Sequence, residues 1–217
     1  MDELFPILAI ETSGQLCSVA ILMDKKNYIE LNYSQKFIHS KKIIDMIDTI
    51  LKNISLETSD IKCIAISLGP GSFTGLRIGL SATKGIAFGN NLPIIPVPTF
   101  DAYAQHFLDY FKDREVFNIA VMANIDEVYI AKYSRRGTEI ITMENLKLVE
   151  ISEINNLINS NETVLGNINE KILSTEIAFP GAISIGKWAY LFGKDLVTYQ
   201  YDYLEPNYFK NFKPKVK

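Results

Sequence analysis

The sequence predicts an α/β fold, in which short apolar strands alternate with amphipathic helices. Apolar runs of the length of buried strands occur at residues 4–10, 17–22 and 63–66. Apolar residues with helical spacing occur at 40–54, after the first two runs, and at 74–88, after the third run. At 217 residues, 47% of them hydrophobic, the chain is long enough to bury one large core or two small ones.

The first elements are a hairpin, a third strand and a helix. Runs 4–10 and 17–22 flank a short turn at 11–14, which predicts a β-hairpin, and residues 28–33 predict another strand. Ser40 is placed to cap a helix whose apolar side covers roughly 160° of its circumference. Its apolar residues are Ile43, Ile44, Met46, Ile47, Ile50, Leu51 and Ile54.

The glycine-rich stretch SLGPGSFTGLRIGL begins at Ser67 and matches none of three known site motifs. A phosphate loop needs four residues between its glycines, but five separate Gly69 from Gly75. Thr74 replaces the third glycine of a dinucleotide motif, and Pro70 and Thr74 stand where a nucleophile elbow around Ser72 requires glycines. The stretch therefore predicts a strand end, a chain reversal and a helix capped by Ser72 or Thr74.

The helix predicted over residues 74–88 is rich in small side chains. Gly75, Gly79 and Gly85 each cost about 1 kcal/mol relative to alanine inside a helix, and close packing is the usual compensation. Small and apolar residues cover roughly 200° of the circumference. We expect packing on the sheet to use part of this surface and a second contact to use the rest.

The second half partly repeats the order of the first half. A strand at 92–97 leads into PVPTFDAY, at 96–103, where proline and a threonine cap mark a boundary before the next helix. The elements predicted after it are strands at 116–123, 127–134, 140–149 and 163–165 and helices at 152–159 and 184–196.

Charge and length exclude several classes of protein. The 22 Lys and Arg residues and 25 Asp and Glu residues give a net charge of −3, too acidic for an extended nucleic-acid surface. We expect weak, salt-sensitive tRNA binding at most, through Lys210, Lys213, Lys215 and Lys217 of the tail. The chain begins without a signal peptide and has no apolar run of about 18 residues, so we expect a cytoplasmic protein.

Metal and thiol chemistry find no support in the sequence. His39 and His106 are the two histidines, and neither belongs to a motif with metal-ligand spacing. Cys17 and Cys63 lie in apolar runs, where cysteine is usually a small buried hydrophobe. We therefore expect no metal, no cofactor and no structural disulfide.

Three segments resemble the TsaB family, also called YeaZ. They are LAIETSGQLCSVAIL, HSKKIIDMI and SLGPGSFTGLRIGLSATKGIAFGNNLPIIPVPTFDAYA; beyond about residue 105 the strand at 127–133 and Pro206, Tyr208, Phe209 and Lys210 also match. The resemblance implies an actin-like and Hsp70-like (ASKHA) fold of two α/β lobes, the second reduced. We expect these lobes at residues 1–100 and 101–217.

The resemblance also implies a function. TsaB is the non-catalytic partner of its homologue TsaD in the synthesis of threonylcarbamoyladenosine next to the tRNA anticodon, acts with the ATPase TsaE, and meets tRNA indirectly. Partner contact is expected through the helices at 40–54 and 74–88, which a homodimer would share. The expected interface residues are Ile43, Ile47, Ile50, Gly71, Phe73, Gly75, Leu76, Gly79, Ala82 and Thr83.

Two other functions stay open. In a small-molecule kinase of the same fold, Glu11, Thr12 and Ser13 would form a phosphate-facing turn, with Glu11 holding magnesium through water. The same side chains would otherwise satisfy the amides of a tight hairpin. A homodimeric structural protein would use the same helix faces on itself. For docking on TsaD, Gly79→Leu is expected to weaken partner binding with a modest change in stability. Packing of Gly79 inside its own lobe would instead lower the melting temperature and leave partner affinity unchanged.

Overall fold

The computed structural model describes residues 2–35, 38–168 and 180–208. Within these ranges the chain forms two β-sheets and five α-helices. The strands are β1 (Ile7–Glu11), β2 (Leu16–Leu22), β3 (Tyr28–Ser34), β4 (Cys63–Ser67), β5 (Ile94–Val97), β6 (Val116–Met122), β7 (Glu127–Arg136), β8 (Glu139–Glu150) and β9 (Thr163–Gly166). The helices are α1 (His39–Asn53), α2 (Phe73–Asn90), α3 (Thr99–His106), α4 (Ile154–Leu157) and α5 (Ala182–Phe192).

The first sheet has the strand order β3-β2-β1-β4-β5. The first three strands are antiparallel, whereas β1, β4 and β5 are parallel. Parallel neighbours need a crossover, and α1 and α2 supply the two crossovers after β3 and β4. Alternation along β1 directs Leu8 and Ile10 towards α1 and α2 and directs Ile7 and Ala9 towards α5. The sheet is therefore buried on both faces, as its near-continuous apolar strands predict.

The second sheet repeats this arrangement with the order β8-β7-β6-β9. Again three consecutive strands, β8, β7 and β6, are antiparallel, and β9 runs parallel to its neighbour β6. One face is aromatic, with the rings of Phe111 and Phe117 stacked 4.0 Å apart and Tyr133 beyond them. The partial repeat predicted from the sequence is confirmed. The helix predicted over 152–159 is shorter, because only one turn, α4, follows a 3₁₀ turn.

Helix α5 lies on the first sheet, although it follows the second in sequence. Ala182, Ile185 and Ala189 share a core with Ile7 and Ala9. A side chain on Gly186 would overlap Leu22, so the helix backbone packs directly on the strands. The structure departs here from the predicted division of the chain, since α5 does not belong to the second core. For the residues that precede α5, the expected boundary between the two lobes at residue 100 stays a prediction.

Helix ends differ from the sequence predictions in two of three cases. Ser72 caps α2 as predicted, and its Oγ accepts from the Gly75 amide at 3.2 Å. The predicted cap Ser40 is wrong, because α1 begins at His39 and its cap is Ile38, two residues earlier. Thr99 is not a cap either, because its Oγ1 accepts from the Gly69 amide at 2.9 Å.

After α5 the chain returns across α2 as a C-terminal strap, residues 198–208. Thr198 bridges to β5, and the Tyr201 hydroxyl donates to the Leu92 carbonyl at 2.7 Å. The Asn207 amide donates to the Leu68 carbonyl at 2.7 Å. The strap ends at Tyr208, next to Phe73 of α2. The tail lysines and Phe209 lie outside the described residues.

The part of the chain that the structure describes contains no candidate membrane-spanning helix. No α-helix there combines the length and the apolar character that a bilayer crossing requires.

Candidate functional site

The candidate site lies at the carboxyl end of β1, where open α/β sheets commonly bind ligands. Glu11, Thr12 and Ser13 form the turn that leaves this strand. All three side chains are buried. The sequence therefore placed the turn correctly, but a phosphate-facing turn must be reachable from solvent.

Helix α2 closes this turn. The Ser72 amide donates to the Ser13 carbonyl at 2.7 Å. A side chain on Gly71 or Gly75 would overlap the carbonyl of Ser13 or Thr12. Such spacing, continued by Gly79, brings the helix backbone against the turn along one face. The helix backbone and the backbone of Thr12 and Ser13 are therefore in direct contact.

The Glu11 carboxylate forms hydrogen bonds within the turn itself. Its Oε1 accepts from the Ser13 amide, as the hairpin interpretation predicts. The Ser13 hydroxyl lies 3.2 Å from the Tyr103 hydroxyl, which comes from α3. Burial raises the pKa of Glu11, partly offset by the hydrogen bonds from Ser13. Burial and the charge of Glu11 both raise the pKa of Tyr103, which stays a neutral phenol.

Three buried oxygens around this carboxyl have no hydrogen-bond partner among the described residues. They are Glu11 Oε2, Thr12 Oγ1 and Ser67 Oγ. Burial disfavours the charged form of this carboxyl, and that effect exceeds the effect of the hydrogen bonds that the carboxyl accepts. The environment therefore favours the neutral acid, which is a poor ligand for magnesium.

Most of the predicted interface residues lie inside the lobe of the isolated chain, and their contact with a partner stays a prediction. The apolar arcs of α1 and α2 are used on the sheet and on each other, with little left for a partner. The buried members are Ile43, Ile47, Ile50, Gly75, Leu76, Gly79 and Thr83. Gly71 packs over Ser13, while Phe73 and Ala82 remain partly exposed.

Two exposed apolar residues on the same helices were not among the predicted interface residues. Phe88 of α2 is 79% exposed, and Ile44 of α1 is 55% exposed. Gly85 faces open space, with no atom within 4 Å of the position that a Cβ would take. Phe88 lies outside the apolar arc of its helix, and that displacement was the available signal.

A serine–histidine contact lies apart from this turn. Ser184 Oγ is 2.8 Å from His106 Nδ1, a distance that suits an activated nucleophile. Ser184 is only 3% exposed, however, and the amides at the start of α5 are already used. Ala182 donates to Ser18 Oγ at 2.7 Å and Ile183 to Glu30 Oε1 at 2.8 Å. With no free amide to hold an oxyanion, the contact joins α5 to α3.

Thiol and metal sites are not assembled by the described residues. No group of three or more His, Cys, Asp or Glu side chains converges there. Burial raises the pKa of Cys17 to about 11 and that of Cys63 to about 12, so both remain protonated thiols.

Comparison with known proteins identifies the family. The family model described as "TsaD: tRNA N6-adenosine threonylcarbamoyltransferase" matches residues 34–198. The Haemophilus influenzae protein named "tRNA threonylcarbamoyladenosine biosynthesis protein TsaB" is 32% identical over 94% of this chain and 93% of its own length. The chain belongs to the TsaB family. The Escherichia coli protein of that name is 36% identical over 68% of this chain and 63% of its own length.

A solved structure shares the fold. YeaZ from Pseudomonas aeruginosa superposes with a TM-score of 0.75 at 20% identity, covering 93% of this chain and 98% of that one. Its likeness extends over both sheets and α5, because so little of either chain is left out. This member of the TsaB family therefore has the predicted ASKHA fold.

The packing of Gly79 gives a first prediction. A Cβ at Gly79 would overlap Thr12 Oγ1 and approach Ile66 Cδ1 at 3.2 Å. We expect Gly79→Ala to destabilise the fold by about 1–3 kcal/mol, because overpacking forces buried groups apart. Gly85→Ala in the same helix is the matched control and should raise Tm, because it removes a flexible residue where space is open. Thermal unfolding checks both; equal effects would contradict the assigned packing.

The buried Glu11 carboxyl gives a second prediction. Its pKa is raised in the folded state, so its contribution to stability is present below the ordinary value of 4.5 and is lost as pH rises through the folded value. The free energy of unfolding of the wild type, minus that of Glu11→Gln, should therefore fall as pH increases above 4.5. Chemical denaturation across this range measures the difference.

Asp24→Asn provides a control of opposite sign. Hydrogen bonds from Asn27 lower the pKa of Asp24 in the folded state. The free energy of unfolding of the wild type, minus that of Asp24→Asn, should therefore fall as pH decreases through the acid range. A Glu11 difference that stays flat or follows the Asp24 trend would contradict the buried, neutral acid.

Proposed function

We propose that this chain is the non-catalytic partner of TsaD in synthesis of tRNA N6-threonylcarbamoyladenosine, next to the anticodon, together with the ATPase TsaE in the cytoplasm. Membership of the TsaB family and the name of the Haemophilus influenzae relative, a tRNA threonylcarbamoyladenosine biosynthesis protein, support the pathway. The match to the TsaD family model supports a partner of related fold.

The observation that carries the proposal is an apolar surface on the α1–α2 layer, here called the partner face. It comprises Ile44, Ile78, Ala82, Gly85 and Phe88. Phe88 is exposed on it, and the missing side chain at Gly85 allows close approach of another backbone. A helix pair of similar shape, as a homologous protein would present, fits such a surface better than a small molecule does.

The closed turn supports the absence of catalysis. A kinase of this fold needs Glu11, Thr12 and Ser13 open to a nucleotide phosphate, whereas α2 covers them through the Ser72–Ser13 hydrogen bond. Opening the turn would require α2 to leave its place on the sheet. We therefore assign the chemistry to TsaD and the docking surface to this chain.

Reconstitution tests this division of labour. The purified chain, unmodified tRNA and threonylcarbamoyl adenylate should give no modified tRNA, and addition of TsaD from the same organism should restore turnover. Transfer is measured by nucleoside analysis of the tRNA. Turnover without TsaD, or ATP hydrolysis by the pure chain, would favour the enzyme alternative.

Phe88 tests the partner face directly. We expect Phe88→Asp to weaken association with TsaD by about 30-fold or more, because a central interface aromatic commonly contributes at least about 2 kcal/mol. Ile125→Asp is the matched control, since Ile125 is 88% exposed beyond β6 and lies outside the partner face. Titration calorimetry compares the variants.

The oligomeric state of the purified chain distinguishes the homodimer alternative from the proposed heterodimer with TsaD. A homodimer that uses the same face should dissociate in the Phe88→Asp variant during size exclusion. Loss of the homodimer with unchanged TsaD binding would contradict the proposed heterodimer surface.

A further inference from the structure

The exposed side of α2 carries two cations next to Phe88 of the partner face. Around the helix axis, Arg77 lies roughly 20° and Lys84 roughly 40° from Phe88. Along the axis, Arg77 is about 16 Å and Lys84 about 6 Å from Phe88. An interface of ordinary size, about 800 Å² on each protein, is wide enough to include all three residues. A partner that covers Phe88 therefore reaches both cations.

A groove of about 270 Å³ separates these cations from the C-terminal strap. Its polar lining residues are Arg77, Ser81 and Lys84 of α2 and Glu205 and Tyr208 of the strap. Pockets that hold small-molecule ligands are larger, roughly 300–1,000 Å³. The size of the groove therefore suits a side chain of a partner better than a free ligand.

Arg77 is held in a fixed orientation in this groove. Its guanidinium carbon lies 3.9 Å from the ring centre of Phe73, and its Nε donates to the Tyr208 hydroxyl at 2.8 Å. The hydrogen bond to Tyr208 uses Nε alone, so the terminal N–H groups remain for an anion. Because the side chain is already ordered, little conformational entropy is lost when that anion binds.

Neither cation has a carboxylate partner within the described ranges. Arg77 and Lys84 form no ion pair there, whereas the exposed lysines Lys42 and Lys52 pair with aspartates on their own helix. Glu205 is the one acid among the described residues that line the groove, and it pairs with neither cation. A partner that covered these cations without supplying an anion would leave their charges buried and unpaired, which is costly.

We infer that this groove, here called the cationic groove, receives a carboxylate side chain of the protein that covers Phe88. The inference rests on the proposed function, in which that protein is TsaD. A carboxylate accepts two parallel hydrogen bonds from the guanidinium of Arg77 and is attracted by the ammonium of Lys84. Two cations neutralise few phosphates of a nucleic acid, whereas one carboxylate is enough at the edge of an apolar contact.

The ion pair orients the partner. Phe88 alone is a single apolar contact, about which a partner can rotate. A second, charged contact at Arg77, about 16 Å away, removes this freedom and rejects surfaces that lack an acid. A second copy of the chain that docks α2 on α2 is one such surface, because α2 contains no Asp or Glu. The cationic groove therefore favours a heterodimer over a homodimer on this face.

The affinity for TsaD from the same organism, measured by titration calorimetry from about 25 to 300 mM salt, tests the inference. Arg77→Gln with Lys84→Gln removes both charges, and Arg77→Glu reverses one of them. The matched control combines Arg136→Gln with Lys112→Gln. Arg136 ends β7 and Lys112 precedes β6, and both are exposed and form no ion pair among the described residues. Each variant is first checked for an unchanged Tm.

We expect the double Gln variant to bind TsaD at least tenfold more weakly at low salt, and Arg77→Glu more weakly still, with the control unchanged. The difference from wild type should shrink as salt increases, because salt screens the attraction that the variant has lost. Equal affinity at every salt concentration, or tighter binding by the double variant, would overturn the inference. Where the Arg77 variants melt early, Lys84→Gln alone decides, with an expected loss of about threefold at low salt.

Unmodified, fluorescein-labelled tRNA separates a carboxylate from a phosphate in the same groove. Weaker tRNA binding by the double variant, with unchanged TsaD binding, would identify a phosphate as the occupant and overturn the inference while leaving the proposed function in place. A wild-type chain that neither binds nor stimulates TsaD would reject the proposed function, and the inference with it.

Discussion

The contact between α2 and the turn after β1 is the constraint on which the rest of the first lobe depends. Gly71, Gly75 and Gly79 recur every four residues and bring the helix backbone onto Thr12 and Ser13 without intervening side chains. This approach buries the side chains of Glu11, Thr12 and Ser13. It also determines which residues of α2 remain exposed, and so where a partner can dock.

Helix α3 ties this contact to the rest of the molecule through four polar side chains. Tyr103 reaches Ser13 in the turn, and Thr99 accepts from the loop before α2. The Tyr133 hydroxyl of the second sheet donates to Asp101 at 3.0 Å, and His106 meets α5. Apolar neighbours divide likewise, with Ala102 in the first core and Phe100 in the second. One short helix thus holds the turn, α5 and both sheets in register.

The sequence predicted the strands well because a strand buried on both faces is a continuous apolar run, which needs no partner to be recognised. It also predicted that the glycines of α2 mark close approach. What it could not supply was the identity of the approaching group, since Thr12 is 63 or more positions away from Gly75 and Gly79 in the chain. Periodicity shows which helix face is buried but not what it contacts, so residues such as Ile47 and Leu76 were predicted at an interface and lie in the core. The caps failed for a similar reason, because Thr99 bonds to a distant amide rather than to its own helix.

The exposed part of α2 divides into two flanks with different chemistry. Ile78 and Ala82 lie towards α1, while Arg77 and Lys84 lie towards the strap, roughly 100° or more around the helix. An apolar flank gains from excluding water, whereas unpaired cations are costly to bury unless the partner brings matching anions. Phe88 lies within about 40° of both Arg77 and Lys84 around the helix, so a protein that covers Phe88 also reaches the cationic flank. A partner on Phe88 must therefore bring anions to Arg77 and Lys84 or leave both cations in solvent at its edge.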